Sequence, residues 1–313
     1  FASIRIDYIR QLSEALPLPQ SCKVVVDCGN AIAACTAPPL LRALGCEVVE
    51  LYCEVDGRFP HHHPDPSIPE NLADLQAAVL EHQADIGLAF DGDADRLGVV
   101  TNAGEIIWPD RVLMPLAEEV LSRHPGAAVV YDIKCSQRLT RLIERCGGRP
   151  ILWKTGHSLI KAKMRETGAM LGGEMTGHLV HADDWFGFDD AFYAAARLLR
   201  LLAQQTLSSH EFFAAYPTGL ITPELRLDMA EGEPFTFMEQ LATQVDFGPD
   251  AQIITLDGLR VEFPHGWGLV RASNTTPSLV LRFEADHASA MTDIQERFRR
   301  QLLGLQADLT LPF

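Results

Sequence analysis

Three stretches of the chain run apolar without alternation and then break into aspartate: CKVVVDCGN (22–30), ADIGLAFDGD (84–93) and AAVVYDIKCS (127–136). A short β-rich run with no polar face reads as a strand buried on both sides. Its polar end reads as the loop at the carboxyl edge. Between and after these runs the apolar period lengthens to that of a helix. PPLLRALG (38–45) stops at Gly45, a helix-ending residue. IPENLADLQAAVLEHQ (68–83) is amphipathic, with Pro69 in its first turn. PDRVLMPLAEEVLSRH (109–124) and SQRLTRLIERCGG (136–148) continue the alternation, and DDAFYAAARLLRLLAQQ (189–205) predicts a helix capped by Asp189 or Asp190.

After Pro217 the texture changes. ELRLDM (224–229), QIITLDGLRVEF (252–263), WGLVRAS (267–273) and SLVLRFEA (278–285) predict an antiparallel sheet, with Asp257-Gly258 as a hairpin turn. A helix over 288–305 follows. The expected fold class is α/β: two α/β domains of mixed sheet flanked by helices, at 1–105 and 106–217, then a C-terminal α+β domain with antiparallel sheet at 218–313. No low-complexity linker separates them.

Charge narrows the partners. With 42 acidic against 26 basic residues, the net charge is −16. A chain this acidic does not easily form a broadly basic face, which argues against nucleic acid or an anionic membrane, while a local Lys/Arg cluster still suits a small anion. Seven cysteines include no CxxC, so we expect reduced thiols and a cytoplasmic protein. No apolar run is long enough to span a bilayer. The chain opens on Phe1 rather than Met, which leads us to expect a processed or truncated N-terminus.

The candidate chemistry concentrates in AFDGDADRLGVV (89–100). In an extended loop, residues two apart point the same way, so Asp91, Asp93 and Asp95 are expected to converge on one point. Three such carboxylates suit a hard cation such as Mg²⁺. An EF-hand needs Gly at its sixth position and Glu at its twelfth, where this chain has Arg96 and Asn102, so that motif is excluded. A phosphatase with Asp91 as nucleophile and a solvated polar turn both remain as alternatives. RASNTTP (271–277) lies between two predicted strands. The guanidinium fork of Arg271, the hydroxyls of Ser273 and Thr275 and the amide of Asn274 suit a phosphate. In GGEMTGH (172–178), Glu174 and Thr176 place a carboxylate and a hydroxyl where they pair with vicinal sugar hydroxyls. Lys134 and KTGHSLIK (154–161) add local positive charge. The run HHH at 61–63 does not have the spacing of metal ligands, since adjacent residues do not converge on one ion.

FDGDADRLGVV resembles the magnesium loop of the α-D-phosphohexomutases, the phosphomannomutase/phosphoglucomutase family. KVVVDCGN and FPHHHPDPSIPENL are similar to the family's second domain, KTGHSLIK and GGEMTGH to its third, and RASNTTPSLVLRFEA to the phosphate loop of its last. The resemblance implies domains 2 to 4 of a four-domain fold. It implies interconversion of hexose 1- and 6-phosphates of mannose or glucose through a phosphoserine and a bisphosphate intermediate. Asp91, Asp93 and Asp95 would hold Mg²⁺. Arg96, Lys134 and His157 would lie beside the reacting phosphate. Glu174, Thr176 and His178 would bind the sugar, and Arg271, Ser273, Asn274 and Thr275 its distal phosphate. The family commonly has Ser where this chain has Thr176, and Met175 resembles the dual-specificity members. The implied partners are phosphorylated hexoses, with glucose 1,6-bisphosphate as activator or intermediate. The serine loop of the family resembles TASHNP and has no counterpart here: Ser208-Ser209-His210 lacks the Asn-Pro and falls near the end of a helix. We therefore expect a chain lacking domain 1, inactive alone and monomeric. The alternatives are a Mg²⁺-dependent sugar phosphatase and a non-catalytic sugar-phosphate binding protein.

Overall fold

The computed structural model describes residues 2–273 and 276–313. They divide into two compact units. One runs through Asp132 and adds Leu139–Ile151 and Gly156–Pro217. The other comprises Ile133–Arg138, Leu152–Thr155 and Thr218–Phe313.

The first unit opens with helix α1 (Ala2–Ala15), followed by β1 (Lys23–Asp27), α2 (Ala37–Ala43), β2 (Glu47–Leu51), α3 (Ala73–Glu81), β3 (Ile86–Phe90), β4 (Leu97–Thr101) and β5 (Ile106–Ile107). The sheet order is β2-β1-β3-β4-β5. β1 lies parallel to β2 and β3, while β4 is antiparallel to β3, so the sheet is mixed. Every residue of β3 and β4 is buried, as continuous apolar runs require. Leu72, Leu75 and Val79 close one face over Val25, Ala89 and Val100.

A second sheet follows α4 (Pro109–Arg123). It comprises β6 (Ala128–Asp132), β7 (Arg149–Trp153) after α5 (Gln137–Arg145), and β8 (Leu171–Gly173) and β9 (Leu179–His181) after α6 (His157–Thr167), in the order β7-β6-β8-β9. Helix α7 (Ala191–Ala203) settles which aspartate caps it: the Asp190 side chain accepts from Tyr193 N at 3.0 Å. Ser208 does not trail that helix. It caps the next, α8 (Ser209–Ala214), in a capping box with Glu211.

The second unit holds β10 (Leu220–Ile221), β11 (Leu225–Asp228), α9 (Glu233–Gln244), β12 (Gln252–Ile254), β13 (Leu259–Phe263), β14 (Gly266–Ala272), β15 (Ser278–Ala285) and α10 (Ala288–Leu305). The sheet is antiparallel throughout, in the order β10-β15-β14-β13-β12 with β11 also on β15. Alternation gives it two apolar faces. Val261, Phe263 and Phe283 share a core with Phe237 of α9 and Phe298 of α10. Trp267 and Leu269 form a separate cluster with Ile133. On that second face the buried Arg260 guanidinium lies 4.0 Å from the Trp267 ring centroid and donates to Ile133 O and Cys135 O at 2.6 and 2.7 Å. Among the described residues no helix is long and apolar enough to cross a membrane.

Candidate functional site

Residues 91–96 form the loop of the hairpin between β3 and β4, closed by the Phe90–Leu97 pair. The expectation that the loop is extended is corrected here. Ala94 sits at φ 69°, in the left-handed region, and its N–H donates to Asp91 O at 3.3 Å. The carboxylates gather because the loop turns back, not because a strand alternates. One oxygen from each of Asp91, Asp93 and Asp95 lies within 4.8 Å of the others. Asp91 is buried and braces the loop. Its Oδ1 accepts from the backbone N–H of Asp95 and Arg96 at 3.0 and 3.1 Å, and its Oδ2 accepts Arg96 Nε at 2.7 Å. Burial raises the Asp91 carboxyl pKa, with Arg96 opposing it. Arg96 also donates from Nη1 to Asp65 Oδ1 at 3.0 Å, which seats its guanidinium between two carboxylates. All three converging donors are hard oxygens, a set that fits Mg²⁺.

A second hairpin loop, 174–178 between β8 and β9, lies directly on the first. Leu97 N donates to Gly177 O at 3.1 Å, and Arg96 and His178 form a β-bridge. Gly177 is required here. Its φ is 108°, and a Cβ would meet the Leu97 backbone O and N at 3.1 and 3.2 Å. The buried Glu174 carboxylate accepts from Gly156 N and pairs with His178 Nδ1 at 2.8 Å, while Thr176 Oγ1 lies 3.3 Å from Glu174 Oε2 and 3.0 Å from His178 Nδ1. His178 Nε2 is 3.3 Å from Asp95 Oδ1. Burial alone would lower the His178 pKa, but its bonds to Asp95 and Glu174 outweigh this and raise it to about 9. His157, the first residue of α6, stacks on His178 with ring centroids 4.9 Å apart. Its Nδ1 lies 2.5 Å from Asp189 Oδ2, and Lys161, one turn on, donates to Asp189 Oδ1 at 2.6 Å.

The first unit thus brings together Asp91, Asp93, Asp95, Arg96, His157, Glu174, Thr176 and His178. Lys134, Arg271 and Ser273 belong to the second unit. There Lys134 Nζ is 4.0 Å from Glu224. Arg271 is buried and donates from Nη2 to Asp257 Oδ1 at 3.3 Å. Its buried Nε has no hydrogen-bond partner among the described residues, as suits a side chain waiting for an anion. Gly258, at φ 87°, lets the Asp257 turn close on β14; a Cβ would lie 2.5 Å from Arg271 Cβ. Ser273 Oγ accepts from Thr276 N and Oγ1 at 3.3 and 3.0 Å. Asn274 and Thr275 lie outside the described residues.

The three histidines at 61–63 take separate partners. His61 bonds Asn30 at 2.7 Å and stacks on Tyr52, His62 bonds Asp27 at 3.1 Å, and His63 packs edge-on to Phe59. Sequence reasoning missed Asp65 and Asp189. The one signal for Asp189 was the doubled aspartate before α7: Asp190 takes the cap, which leaves its neighbour to face the site.

Family models described as phosphoglucomutase/phosphomannomutase match nearly the whole chain. Alpha/beta/alpha domain II covers residues 6–104, alpha/beta/alpha domain III covers 108–218, and the C-terminal domain covers 224–301. A phosphomannomutase/phosphoglucomutase of Pseudomonas putida is 55% identical over 306 residues, 98% of this chain and 66% of that protein. A phosphoglucomutase of Neisseria gonorrhoeae is 53% identical over 283 residues, 90% of this chain and 61% of that protein. The crystal structure of a phosphoglucomutase/phosphomannomutase family protein from Burkholderia thailandensis superposes with a TM-score of 0.95 at 49% identity, over 99% of this chain and 66% of that one. The chain therefore spans slightly less than two thirds of the length of these relatives.

Proposed function

Because the chain belongs to the phosphoglucomutase/phosphomannomutase family, we infer that it carries the metal, sugar and distal-phosphate sites of a phosphohexomutase acting on mannose or glucose phosphates. The observation that carries this reading is the seating of the Glu174–His178 hairpin on the Asp91–Arg96 hairpin, which puts the Glu174 carboxylate and the Thr176 hydroxyl beside a three-carboxylate loop.

Asp91, Asp93 and Asp95 are the residues to hold Mg²⁺, which when bound supplies electrostatic stabilisation to a phosphoryl group in transfer. Arg96, clamped by Asp91 and Asp65, offers its positive charge at a set position without reorganising. Glu174 and Thr176 accept from and donate to vicinal hydroxyls of the hexose. His178, held between Asp95 and Glu174, which raise its pKa, gives a proton to a sugar oxygen and takes one back in this reading. Lys161 adds charge beside it, and His157 stacks on its ring. In the other unit, Arg271 offers its guanidinium fork to the non-reacting phosphate, Ser273, Asn274 and Thr275 offer hydroxyl and amide groups to it, and Lys134 contributes further positive charge. The phosphoryl group comes from a phosphoserine that these 313 residues do not supply. Glucose 1,6-bisphosphate is then the intermediate that reverses its orientation between two transfers. In this reading the chain is a cytoplasmic monomer that binds hexose phosphates but does not turn them over alone.

The test is calorimetric titration of the chain with glucose 1-phosphate in Mg²⁺, run beside a coupled mutase assay containing a trace of glucose 1,6-bisphosphate. Binding without turnover is expected. If neither glucose nor mannose phosphates bind, the reading is overturned. Turnover would place the phosphoryl carrier within the chain, and a fluoroberyllate adduct on Asp91 would then identify a phosphatase-type nucleophile.

A further inference from the structure

Beside the three-carboxylate loop, and sharing one residue with it, is a cluster of different chemistry. Asp95, His157, His178 and Asp189 each offer one ligand atom, and these four atoms lie within 4.8 Å of one another. We propose that these four side chains form a second metal site, selective for a borderline-soft divalent ion such as Zn²⁺ over Mg²⁺.

The donor set separates the two sites. Asp91, Asp93 and Asp95 are all-oxygen, the preference of Mg²⁺. Two imidazoles and two carboxylates are the donors of a four-coordinate zinc centre. Chain geometry holds the four in place independently. Asp95 stands one residue before the end of the first hairpin loop. His178 ends the second, bridged to Arg96. His157 starts α6. Asp189 is bridged to Val180 and lies next to Asp190, whose side chain is fixed by its cap to Tyr193 and by hydrogen bonds from Tyr8 and Trp185.

The surrounding shell is the one a histidine ligand needs. Glu174 takes His178 Nδ1 at 2.8 Å, which turns Nε2 toward Asp95 and the cluster. This carboxylate–imidazole pair is the arrangement that orients a metal-bound histidine and raises its basicity. Lys161 holds Asp189 by Oδ1 at 2.6 Å and leaves Oδ2 facing His157. An entering ion replaces the protons that now join the imidazoles to the carboxylates, so binding releases protons and forms no new covalent bond.

Sharing Asp95 makes the two metals antagonists. An ion held by His157, His178 and Asp189 withdraws Asp95 from the magnesium loop and immobilises both imidazoles. Zn²⁺ therefore inhibits while taking Asp95 alone of the three Mg²⁺ ligands. That consequence rests on the mutase reading, but the site itself does not.

Cobalt(II) distinguishes the possibilities by its visible spectrum, which differs between tetrahedral and octahedral sites. The chain titrated with Co²⁺ is expected to develop the intense tetrahedral band, to lose it on adding Zn²⁺ and to keep it in Asp93→Asn. His157→Gln, altering a half-exposed side chain at a helix start, and Asp189→Asn are expected to abolish the band. Glu174→Gln, which neutralises the outer carboxylate partner of His178, is expected to weaken Co²⁺ about 10–100-fold while leaving the band shape. A band that survives His157→Gln and disappears in Asp93→Asn would put the ion in the carboxylate loop and overturn the proposal. So would a purely octahedral spectrum, or no bound Co²⁺. Because the readout is the metal's spectrum and not turnover, failure of the mutase reading leaves this result interpretable.

Discussion

Asp91 and Asp93 stand two residues apart and do different work. Asp93 is exposed, while Asp91 is buried and holds the loop closed through two backbone N–H groups and Arg96. Asp93→Asn is therefore expected to weaken Mg²⁺ and leave the melting temperature unchanged. Asp91→Asn is expected to weaken Mg²⁺ and also to cost about 1–3 kcal/mol of stability, because a charged acceptor of several hydrogen bonds is lost from a buried position. Mg²⁺ titration and thermal melts of both variants separate the roles, and equal Mg²⁺ affinity in Asp93→Asn and the unaltered chain would remove the loop as the metal site. Arg271 makes a parallel case in the other unit. Among the described residues its buried fork has one weak partner in Asp257, and its Nε has none. Arg271→Ala is expected to weaken glucose 1-phosphate by about 2–4 kcal/mol by calorimetry, the scale of a desolvated charge-assisted contact. Unchanged affinity would take Arg271 out of the phosphate site.

At the scale of elements, what was legible followed from burial. β3 could be read because both of its faces are covered and its sequence is accordingly continuous in apolar residues. α10 could be read because its amphipathic period runs uninterrupted over 288–305. β2 and β7 were not read: their residues are mostly half-buried and carry mixed polarity, so neither period dominates. The carboxylate loop was legible in its residues but not in its shape, because a left-handed Ala94 has no sequence signature of the kind a glycine provides. Asp189 was hidden because its contacts with His157 and Lys161 are set by tertiary packing, 32 and 28 residues away. The histidine run shows the same dependence on context and gives a pH prediction. His62 Nε2 faces the buried Asp27 at 3.1 Å and Nδ1 faces His63 O at 3.0 Å; two acceptors call for the doubly protonated ring. The bond to Asp27 raises its pKa above 6.5, against burial, which lowers it. Since the folded-state pKa is raised, the stabilisation is complete below the unfolded value and is lost as pH rises through the folded one. Melting temperatures of the unaltered chain and His62→Gln should therefore differ most at pH about 6 and converge as the pH increases. Groups common to both proteins cancel in the difference, and a difference independent of pH would mean that His62 is neutral in the fold.

At the scale of the whole molecule, the second unit is not a contiguous segment. It takes Ile133–Arg138 and Leu152–Thr155 from within the sequence that builds the first. These short stretches cover the sheet face opposite α9 and α10. Ile133 packs with Trp267 and Leu269, Ser136 Oγ donates to Glu284 at 2.7 Å, Arg138 pairs with Asp286 at 2.6 Å, and the Ile133 and Cys135 carbonyls satisfy Arg260. Arg260 is 0% exposed, and among the described residues the other polar partner of its guanidinium is Glu262. A fragment cut at Pro217, comprising residues 218–313, would expose Trp267 and Leu269 to water and leave the Arg260 guanidinium to take water in place of the two carbonyls, so the lost burial of apolar area is the larger, destabilising effect. The fragment is expected to melt lower and less cooperatively than the intact chain. Trp267 is the only one of the chain's four tryptophans that it retains, so its emission reports the face directly. Emission to the red of that of a buried indole is expected. Blue-shifted emission with a sharp melt would show that the sheet and its two helices are sufficient, and that the two inserted stretches are passengers rather than part of the unit's core.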